Sequence, residues 1–341
     1  MKRRFFFILL LLCTLFSSGC GTEKSAQADF ISMDTVVRLQ IYGSNAQTAL
    51  NNCQKTLSGL EARFADTGVE SEVVRLNQAN GAETEVSSLL FEMLQLAKSI
   101  SAALPDTLDL TVAPLTALWG FSGDATMHLP QAAQITALLP TVGMELVELC
   151  AERQTVILHS GATITLGAIA KGLIGRELAA QLDRDPGVTH AYLSLGGNVQ
   201  LVKNKTDATP WKIGLANPSA HSELLGVFSL ASPCAVVTSG TYQRNFTENG
   251  TLYHHILHPR TGYPVENGMC SVTILCQDGM RADALSTALF VAGIEKTIAY
   301  YRAHPDFEFV CVTDTQEIFV SAGIAEQFSI LSSGYTIRVV Q

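Results

Sequence analysis

The spacing of hydrophobic and polar residues predicts a chain in which helices and strands build one unit. Apolar residues recur at helical spacing in residues 45–64 and 86–104. Two further helices are expected at about 170–182, which is strongly apolar, and at 282–292, which is apolar on nearly every side and is therefore expected to be buried. Strand patterns occur in "FISMDTVVRLQIYG", "AYLSLGG", "WKIGLA", "GVFSLA", "CAVVTSG" and "CSVTILC".

Two hairpins complete this pattern. "VELCAERQTVILHSGATITLG" is expected to form the first, with a strand that ends at Leu166. "EFVCVTDTQEIFVSAGIAEQF" is expected to form the second, followed by a short helix. The sequence contains no internal repeat, low-complexity block or linker. The prediction is therefore a single α+β domain, in which a mixed antiparallel sheet packs against helices.

The first residues predict export. The basic start "MKRR" leads into the apolar run "FFFILLLLCTLF", which is too short for a comfortable membrane span. The following "SSGC" resembles a bacterial lipobox, in which Cys20 is lipidated and becomes the new N-terminus, although Ser17 stands where leucine is usual. An ordinary secretory signal cut nearby is the alternative.

This leader divides the chain into three parts. We expect a lipoprotein signal peptide at 1–19, a lipid-anchored tether at 20–29 and the folded domain at 30–341. The acyl chain would make the lipid membrane a partner. The protein would then lie in the bacterial envelope, at the outer face of the cytoplasmic membrane or on the periplasmic side.

Charge and cysteine content exclude several classes of function. The formal charge of −9 becomes −12 without the leader, which carries three positive charges and no negative one. Such an acidic exported chain is a poor candidate for nucleic-acid binding, and it must hold any anionic ligand with local groups. The eight cysteines match no zinc or redox spacing.

The segment "MRADALSTALFVAG" carries a carboxylate inside an apolar helix. Asp283 and Thr287 lie four residues apart and therefore share one helix face. A buried carboxylate is costly unless its charge is compensated. A hard cation held by the carboxylate and the hydroxyl would compensate it. Alternatively, Asp283 caps the start of its own helix by accepting backbone N–H bonds.

Three turns could bring backbone close to a ligand. In "ITLGAIAKG" a helix begins shortly after Gly167, so unpaired N–H groups and Lys171 could hold an anion. "SLGGN" (194–198) and "VVTSGTY" (236–242) place small polar residues at strand ends. Each of the three is equally compatible with a plain surface turn.

Three histidines occur within "YHHILHPRTGYP" (253–264). Histidine is the side chain best suited to proton transfer near neutral pH, and it is also a common metal ligand. The Pro-Arg-Thr-Gly that follows is ordinary turn chemistry. A metal site, a catalytic base and a polar turn are all open at this point.

Taken together, these segments resemble a family. "FISMDT", "SEVVRLN", "DLTVAPLTALWGF", "TLGAIAKG", "SLGGN", "VVTSGTYQRNF", "HHILHPRTGYP" and "ADALSTALFVAG" occur in the order seen in the ApbE-like FAD:protein FMN transferases. The resemblance implies an ApbE-like, T-fold-related α+β domain. It also implies transfer of FMN from FAD to a threonine of an exported acceptor, a redox-pump or extracellular electron-transfer subunit, with release of AMP.

The resemblance also assigns roles to particular residues. The proposed base of the family pattern H-I-x-D-P falls on His255, and His254 is expected to point to the opposite face. A Mg²⁺ ion on the pyrophosphate would be held by Asp283, Thr287 and the carbonyl of Ala168, with Ser286 a weaker candidate. The implied FAD contacts are Met33, Trp119, Lys171, Thr238, Ser239, Gly240 and Ile256.

The chain departs from the family pattern at three positions. His258 stands where the pattern has Asp, Thr165 precedes "LG" where many relatives carry Asp, and Asn198 follows the paired glycines where Asp is frequent. Each change removes negative charge from the neighbourhood of the expected site. Two functions besides transfer stay open: Mg²⁺-dependent hydrolysis of FAD to FMN and AMP, and flavin binding by a lipoprotein without catalysis.

Overall fold

The computed structural model describes residues 23–123 and 125–341, which contain both helices and strands. The predicted signal peptide and Cys20 lie outside the described residues. The strands are β1 (Ser25–Ser32), β2 (Thr35–Tyr42), β3 (Thr84–Glu85), β4 (Val147–Cys150), β5 (Thr155–Leu158), β6 (His190–Leu195), β7 (Asn198–Val202), β8 (Trp211–Asn217), β9 (Ala220–Leu230), β10 (Ala235–Gly240), β11 (Asn245–Glu248), β12 (Thr251–His254), β13 (Met269–Cys276), β14 (Glu308–Thr313), β15 (Glu317–Ser321), β16 (Phe328–Ile330) and β17 (Thr336–Val340). The helices are α1 (Ala46–Phe64), α2 (Glu72–Gln78), α3 (Ser88–Ala103), α4 (Ala113–Leu118), α5 (Ala132–Leu138), α6 (Ala170–Asp183), α7 (Gly279–Ala292), α8 (Ile294–Ala303) and α9 (Ala322–Ala325), with 3₁₀ turns at Leu110–Val112, Leu139–Thr141 and Met144–Leu146.

One nine-stranded sheet organises the molecule. Its strand order is β1-β2-β6-β7-β10-β13-β14-β15-β17, and every neighbouring pair is antiparallel except β15 and β17. Smaller sheets are formed by β16-β9-β8, by β3-β5-β4 and by the hairpin β11-β12. The predicted α+β class with a mixed sheet is confirmed.

The two faces of the large sheet bury different partners. On β10, Ala235 and Val237 join the core that contains α3 and α7, whereas Val236 joins the core formed with β8 and β9. On β13, Ile274 and Leu275 divide in the same way. Successive side chains of a strand point to opposite faces, so one apolar strand serves both cores. Helices therefore cover one face of the sheet, and the three-stranded sheet covers part of the other.

Helices α6 and α7 approach each other closely on the helical face. A Cβ atom at Gly172 would lie 2.2 Å from the carbonyl oxygen of Gly279 and 2.5 Å from the Cβ of Asp283. Only glycine permits this backbone approach. The contact sets the start of α6 against the first turns of α7, which is where the candidate site lies.

The N-terminal segment forms two strands, whereas one strand was expected. The segment taken as one strand is a hairpin, in which Ser25 to Ser32 pairs with Thr35 to Tyr42. Met33 and Asp34 form its two-residue turn with φ of 52° and 54°, the left-handed values that suit a tight hairpin. The predicted tether at 20–29 is therefore wrong from Ser25 onward, because those residues pair with β2.

The strand expected to end at Leu166 is also wrong. Residues 159–166 contain no strand. Instead the side chain of Asn77 donates to the Ile164 carbonyl and accepts the Ile164 N–H, both over 2.8 Å. A side-chain amide thus takes the place of a neighbouring strand, which a strand pattern in the sequence does not reveal.

Candidate functional site

Four segments meet beside the start of α6. They are the end of β10, the first turns of α7, the turn that precedes α6 and the residues after β12. Ser239 of β10 contacts α7 through the hydroxyls of Ser286 (2.8 Å) and Thr287 (3.3 Å). Lys171 of α6 lies close enough to His255, after β12, to lower its pKa. The hydrogen bond from the Gly172 N–H of α6 to Asp283 of α7 joins these two pairs, so β10, α7, the first turn of α6 and the segment after β12 are connected.

Asp283 lies within α7 and is buried, with 4% of its surface exposed. It does not cap α7, because Asp278 accepts the N–H groups of Met280 and Arg281 at that helix start. Instead, Asp283 Oδ2 accepts the N–H of Gly172 in α6 over 2.8 Å. The carboxylate therefore joins the two helices, and its other oxygen, Oδ1, is left for a cation.

The Ala168 carbonyl lies just before α6, which begins at Ala170. The N–H of Gly172 belongs to the first helical turn, whose donors have no acceptor within their own helix, and it is directed to Asp283. The Ala168 carbonyl receives no backbone N–H from the described residues, so it could ligate a cation.

The two hydroxyls of α7 differ in access. Ser286 is fully buried, and its hydroxyl donates to the Asp283 carbonyl over 2.8 Å. Thr287 is half-buried, and its only hydrogen bond within the described residues is the 3.3 Å contact with Ser239. Thr287 is therefore the better ligand. An aspartate oxygen, a threonine oxygen and a carbonyl oxygen fit a hard cation such as Mg²⁺.

His255 occupies a half-buried position directly after β12. Its Nδ1 atom is shielded from solvent and has no hydrogen-bond partner among the described residues. Burial is the largest cause that lowers the pKa of His255 to about 3, and the nearby His254, Lys171 and Arg244 contribute to the same shift. The ring is therefore neutral at physiological pH and offers a free nitrogen, as a proton acceptor must.

The other two histidines have structural contacts. The buried His254 bonds the Val265 carbonyl through Nε2 over 3.0 Å and accepts the Ile256 N–H through Nδ1 over 3.3 Å. His258 accepts the N–H of Arg260 through Nδ1 over 3.2 Å. Within residues 23–123 and 125–341, no group of three or more His, Cys, Asp or Glu side chains could hold a metal ion. The surroundings of His255 are compatible with the interpretation as a catalytic base.

Sequence comparison adds to this geometry. The sequence model of the ApbE family matches residues 33–311. This chain belongs to the ApbE family. An FAD:protein FMN transferase of Klebsiella pneumoniae (strain 342) is 34% identical over 312 residues, which are 90% of this chain and 95% of that protein. One from Treponema pallidum is 26% identical over 353 residues, which are 96% and 97% of the two chains.

Solved structures agree with the ApbE fold. The crystal structure of the ApbE protein from Thermotoga maritima superimposes with a TM-score of 0.82 at 28% identity and covers 89% of this chain and 99% of its own. The flavin transferase ApbE from Vibrio cholerae, at 23% identity, has a TM-score of 0.78 over 90% of this chain and 100% of its own, and supports the fold alone.

Some predicted FAD contacts of this ApbE-family chain lie in the core. Trp119 is fully buried, donates to the Gly262 carbonyl over 2.8 Å and packs on Phe121. A stacking contact of Trp119 with a flavin is therefore not available in this arrangement. Ile256 is also buried, so only its backbone can approach a ligand.

The predicted residues of β10 divide between the two faces of the sheet. Thr238 bonds the buried Thr273 across the strands over 2.9 Å, whereas Ser239 points to α7. Hence the side chains of Thr238 and Ser239 cannot serve the same side. Gly240 is buried at the strand end. Met33 is half-buried in the β1–β2 turn, where its N–H donates to Glu61.

The three departures from the family pattern have different surroundings. His258 accepts the N–H of Arg260 through Nδ1, and an aspartate oxygen could accept the same N–H. Thr165 donates to Asp66 over 2.9 Å, so a carboxylate from another loop reaches this position. Burial raises the pKa of Asp66. Asn198 is buried at the start of β7, and its Nδ2 has no partner among the described residues.

The sequence analysis missed two residues of the site. Gly172 supplies the N–H that orients Asp283. Arg244 pairs with Asp34 and donates to the Phe121 carbonyl. The position of Arg244 between two predicted strands was the available signal. It was not sufficient, because Asp34 and Phe121 are distant in sequence.

Proposed function

We propose that this protein is an FAD:protein FMN transferase, which moves FMN from FAD to a threonine hydroxyl of an exported acceptor and releases AMP. The main support is that the neutral His255 lies near Lys171 of α6, while the adjacent Gly172 N–H orients the buried carboxylate of Asp283 in α7. A flavin carrier needs neither a base nor a cation site. The relatives named above are FAD:protein FMN transferases, and the match to this chain covers nearly their whole length.

In the proposed reaction each group of the chain has one task. His255 accepts the proton of the acceptor hydroxyl through its ring nitrogen. The hydroxyl oxygen bonds to the phosphorus of the FMN half, while the bond from that phosphorus to the bridging oxygen breaks and AMP departs with it. Asp283, Thr287 and the Ala168 carbonyl would hold Mg²⁺, which neutralises pyrophosphate charge when bound. Lys171 adds a further positive charge.

The low pKa of His255 makes it a weak base in the free protein. An anionic pyrophosphate next to the ring favours its protonated form and therefore raises its pKa. Proton uptake by His255 is then favoured only when FAD is bound. This order prevents activation of a hydroxyl in the absence of the substrate.

The test combines the purified domain, FAD, MgCl₂ and a candidate acceptor that contains an exposed threonine motif. Flavin fluorescence on the acceptor after denaturing electrophoresis, together with one AMP per flavin, is the expected result. AMP without a labelled acceptor would instead assign a Mg²⁺-dependent FAD pyrophosphatase. Tight FAD binding with no AMP would assign a flavin-binding lipoprotein.

We also propose that Cys20 carries the acyl anchor and that the protein is attached to the bacterial envelope. The lipobox-like "SSGC" supports this proposal. Among the described residues, none of the helices has the length and apolar character needed to span a bilayer. Incorporation of labelled palmitate into the wild type and its loss in Cys20→Ser is the expected result. Equal labelling of both proteins would contradict the proposal.

A further inference from the structure

Arg244 touches three segments that surround the candidate site. It lies between β10 and β11, and its guanidinium donates to the Phe121 carbonyl over 3.1 Å. The same group pairs with Asp34 Oδ2 at 3.3 Å. The Arg244 carbonyl accepts the N–H of His255 over 3.0 Å. One residue thus connects the β1–β2 turn, the segment after α4 and the proposed base.

These contacts connect one position implicated in FAD binding with the aromatic core around Trp119. Asp34 is the second residue of the left-handed turn that begins with Met33. Phe121 stacks on Trp119 with ring centroids 5.9 Å apart. We propose that Arg244 is a positioning residue for FMN transfer, which holds the Met33–Asp34 turn and the Phe121 segment in fixed relation to His255. The inference rests on the proposed function.

The charges around His255 agree with this role. Lys171 from α6, His254 from β12 and Arg244 from the β10–β11 connection all lower the pKa of His255, in addition to the larger effect of burial. Arg244 also lowers the pKa of Asp66, which Asp34 raises. Removal of the Arg244 charge should therefore raise the pKa of His255, since one cation that disfavours the protonated ring is gone.

Two substitutions separate the charge of Arg244 from its geometry. Arg244→Gln removes the charge, whereas Arg244→Lys retains it but cannot reproduce a planar fork with two partners. Arg260→Gln is the matched control. Arg260 belongs to the segment after His255, but its side chain is exposed and pairs with Asp106 over 2.7 Å. It is not among the charges that affect His255.

The first readout is the titration of the His255 ring by NMR in the absence of FAD. Arg244→Gln should move the midpoint to higher pH, whereas Arg244→Lys and Arg260→Gln should leave it unchanged. The second readout is the rate of FMN transfer against pH. Arg244→Gln should move its acid limb in the same direction, and both Arg244 variants should lower kcat about ten-fold through misplacement, with a smaller change in KM for FAD.

Three results would overturn the proposal. In the first, Arg244→Gln leaves the titration and kcat at wild-type values. In the second, Arg260→Gln shifts the midpoint equally, which would indicate an effect of net charge. In the third, the Arg244 variants raise KM for FAD and leave kcat unchanged, which would mean that Arg244 binds FAD itself. Because the titration needs no substrate, it tests the predicted proximity of the Arg244 guanidinium to His255 even if the wild-type protein transfers no FMN.

Discussion

Replacement of Asp283 by asparagine should abolish cation binding while the protein stays folded. The asparagine side chain has the same size, and its amide oxygen can still accept the N–H of Gly172 that Asp283 accepts over 2.8 Å. The free energy of unfolding without Mg²⁺ should therefore change by less than about 1 kcal/mol. The negative charge that a divalent cation requires is lost.

Replacement of Asp283 by alanine should have a different effect. It leaves the buried N–H of Gly172 without an acceptor, which costs about 1–3 kcal/mol. For a chain of this size we expect a decrease in Tm of about 2–5 °C. Comparison of the asparagine and alanine variants thus separates the link between α6 and α7 from the cation site.

The assay is thermal unfolding of the FAD-loaded protein with and without MgCl₂. A cation at one hundred times its Kd stabilises the wild type by about 2.7 kcal/mol. If Asp283→Asn weakens binding about a hundred-fold, this increment falls to about 0.4 kcal/mol. Asp278→Asn is the control, since Asp278 caps the same helix and should leave the increment intact. A full increment and normal AMP release in Asp283→Asn would refute the reasoning.

Three further predictions concern the neighbouring residues. Thr287→Val should lose most of the Mg²⁺-dependent increment in Tm, whereas Ser286→Ala should keep it, because only Thr287 is accessible; equal losses would contradict this assignment. His258→Asp should retain Tm and transfer rate within a factor of about two, since aspartate can accept the Arg260 N–H, while His258→Leu should cost about 0.5–1.5 kcal/mol in urea unfolding. Below pH 6.5 the unfolded chain protonates His255 and the folded chain does not until about pH 3, so stability should decrease as the pH falls through this window. Between pH 7 and pH 5, the free energy of unfolding measured with urea should decrease by about 1–2 kcal/mol less in His255→Gln than in the wild type. Identical decreases in the two proteins would exclude this account.

The sequence predicted those elements that are encoded by local patterns. The bounds of α6 and α7 agree with prediction within three residues, because both helices are rich in apolar residues and end near glycine or polar residues. Strands such as β10 and β13 were found because they are mostly buried and their sequences are predominantly apolar.

The errors arose where a distant residue replaces a local signal. Residues 159–166 look like a strand, but Asn77 satisfies the Ile164 backbone from 87 positions away. Strand β1 was assigned to the tether because its first residues are small and polar, as edge strands with one solvent-exposed face frequently are.

The candidate site was predictable to a similar extent. The pairing of Asp283 with Thr287 follows from helical spacing alone. The difference in access between Ser286 and Thr287 does not, since it depends on how α7 packs against β10. The family resemblance implied an FAD contact for Trp119, and only the burial and hydrogen bonding of its ring place it in the core.

The contact between Asp283 and Gly172 joins residues 111 positions apart. The orientation of the carboxylate depends on it, so neither helix would carry the proposed cation site by itself. Capture of the ion and docking of the two helices would consequently be one event. Incompletely folded copies of the chain would then not compete for divalent ions, and a bound ion would report that the surrounding architecture is finished.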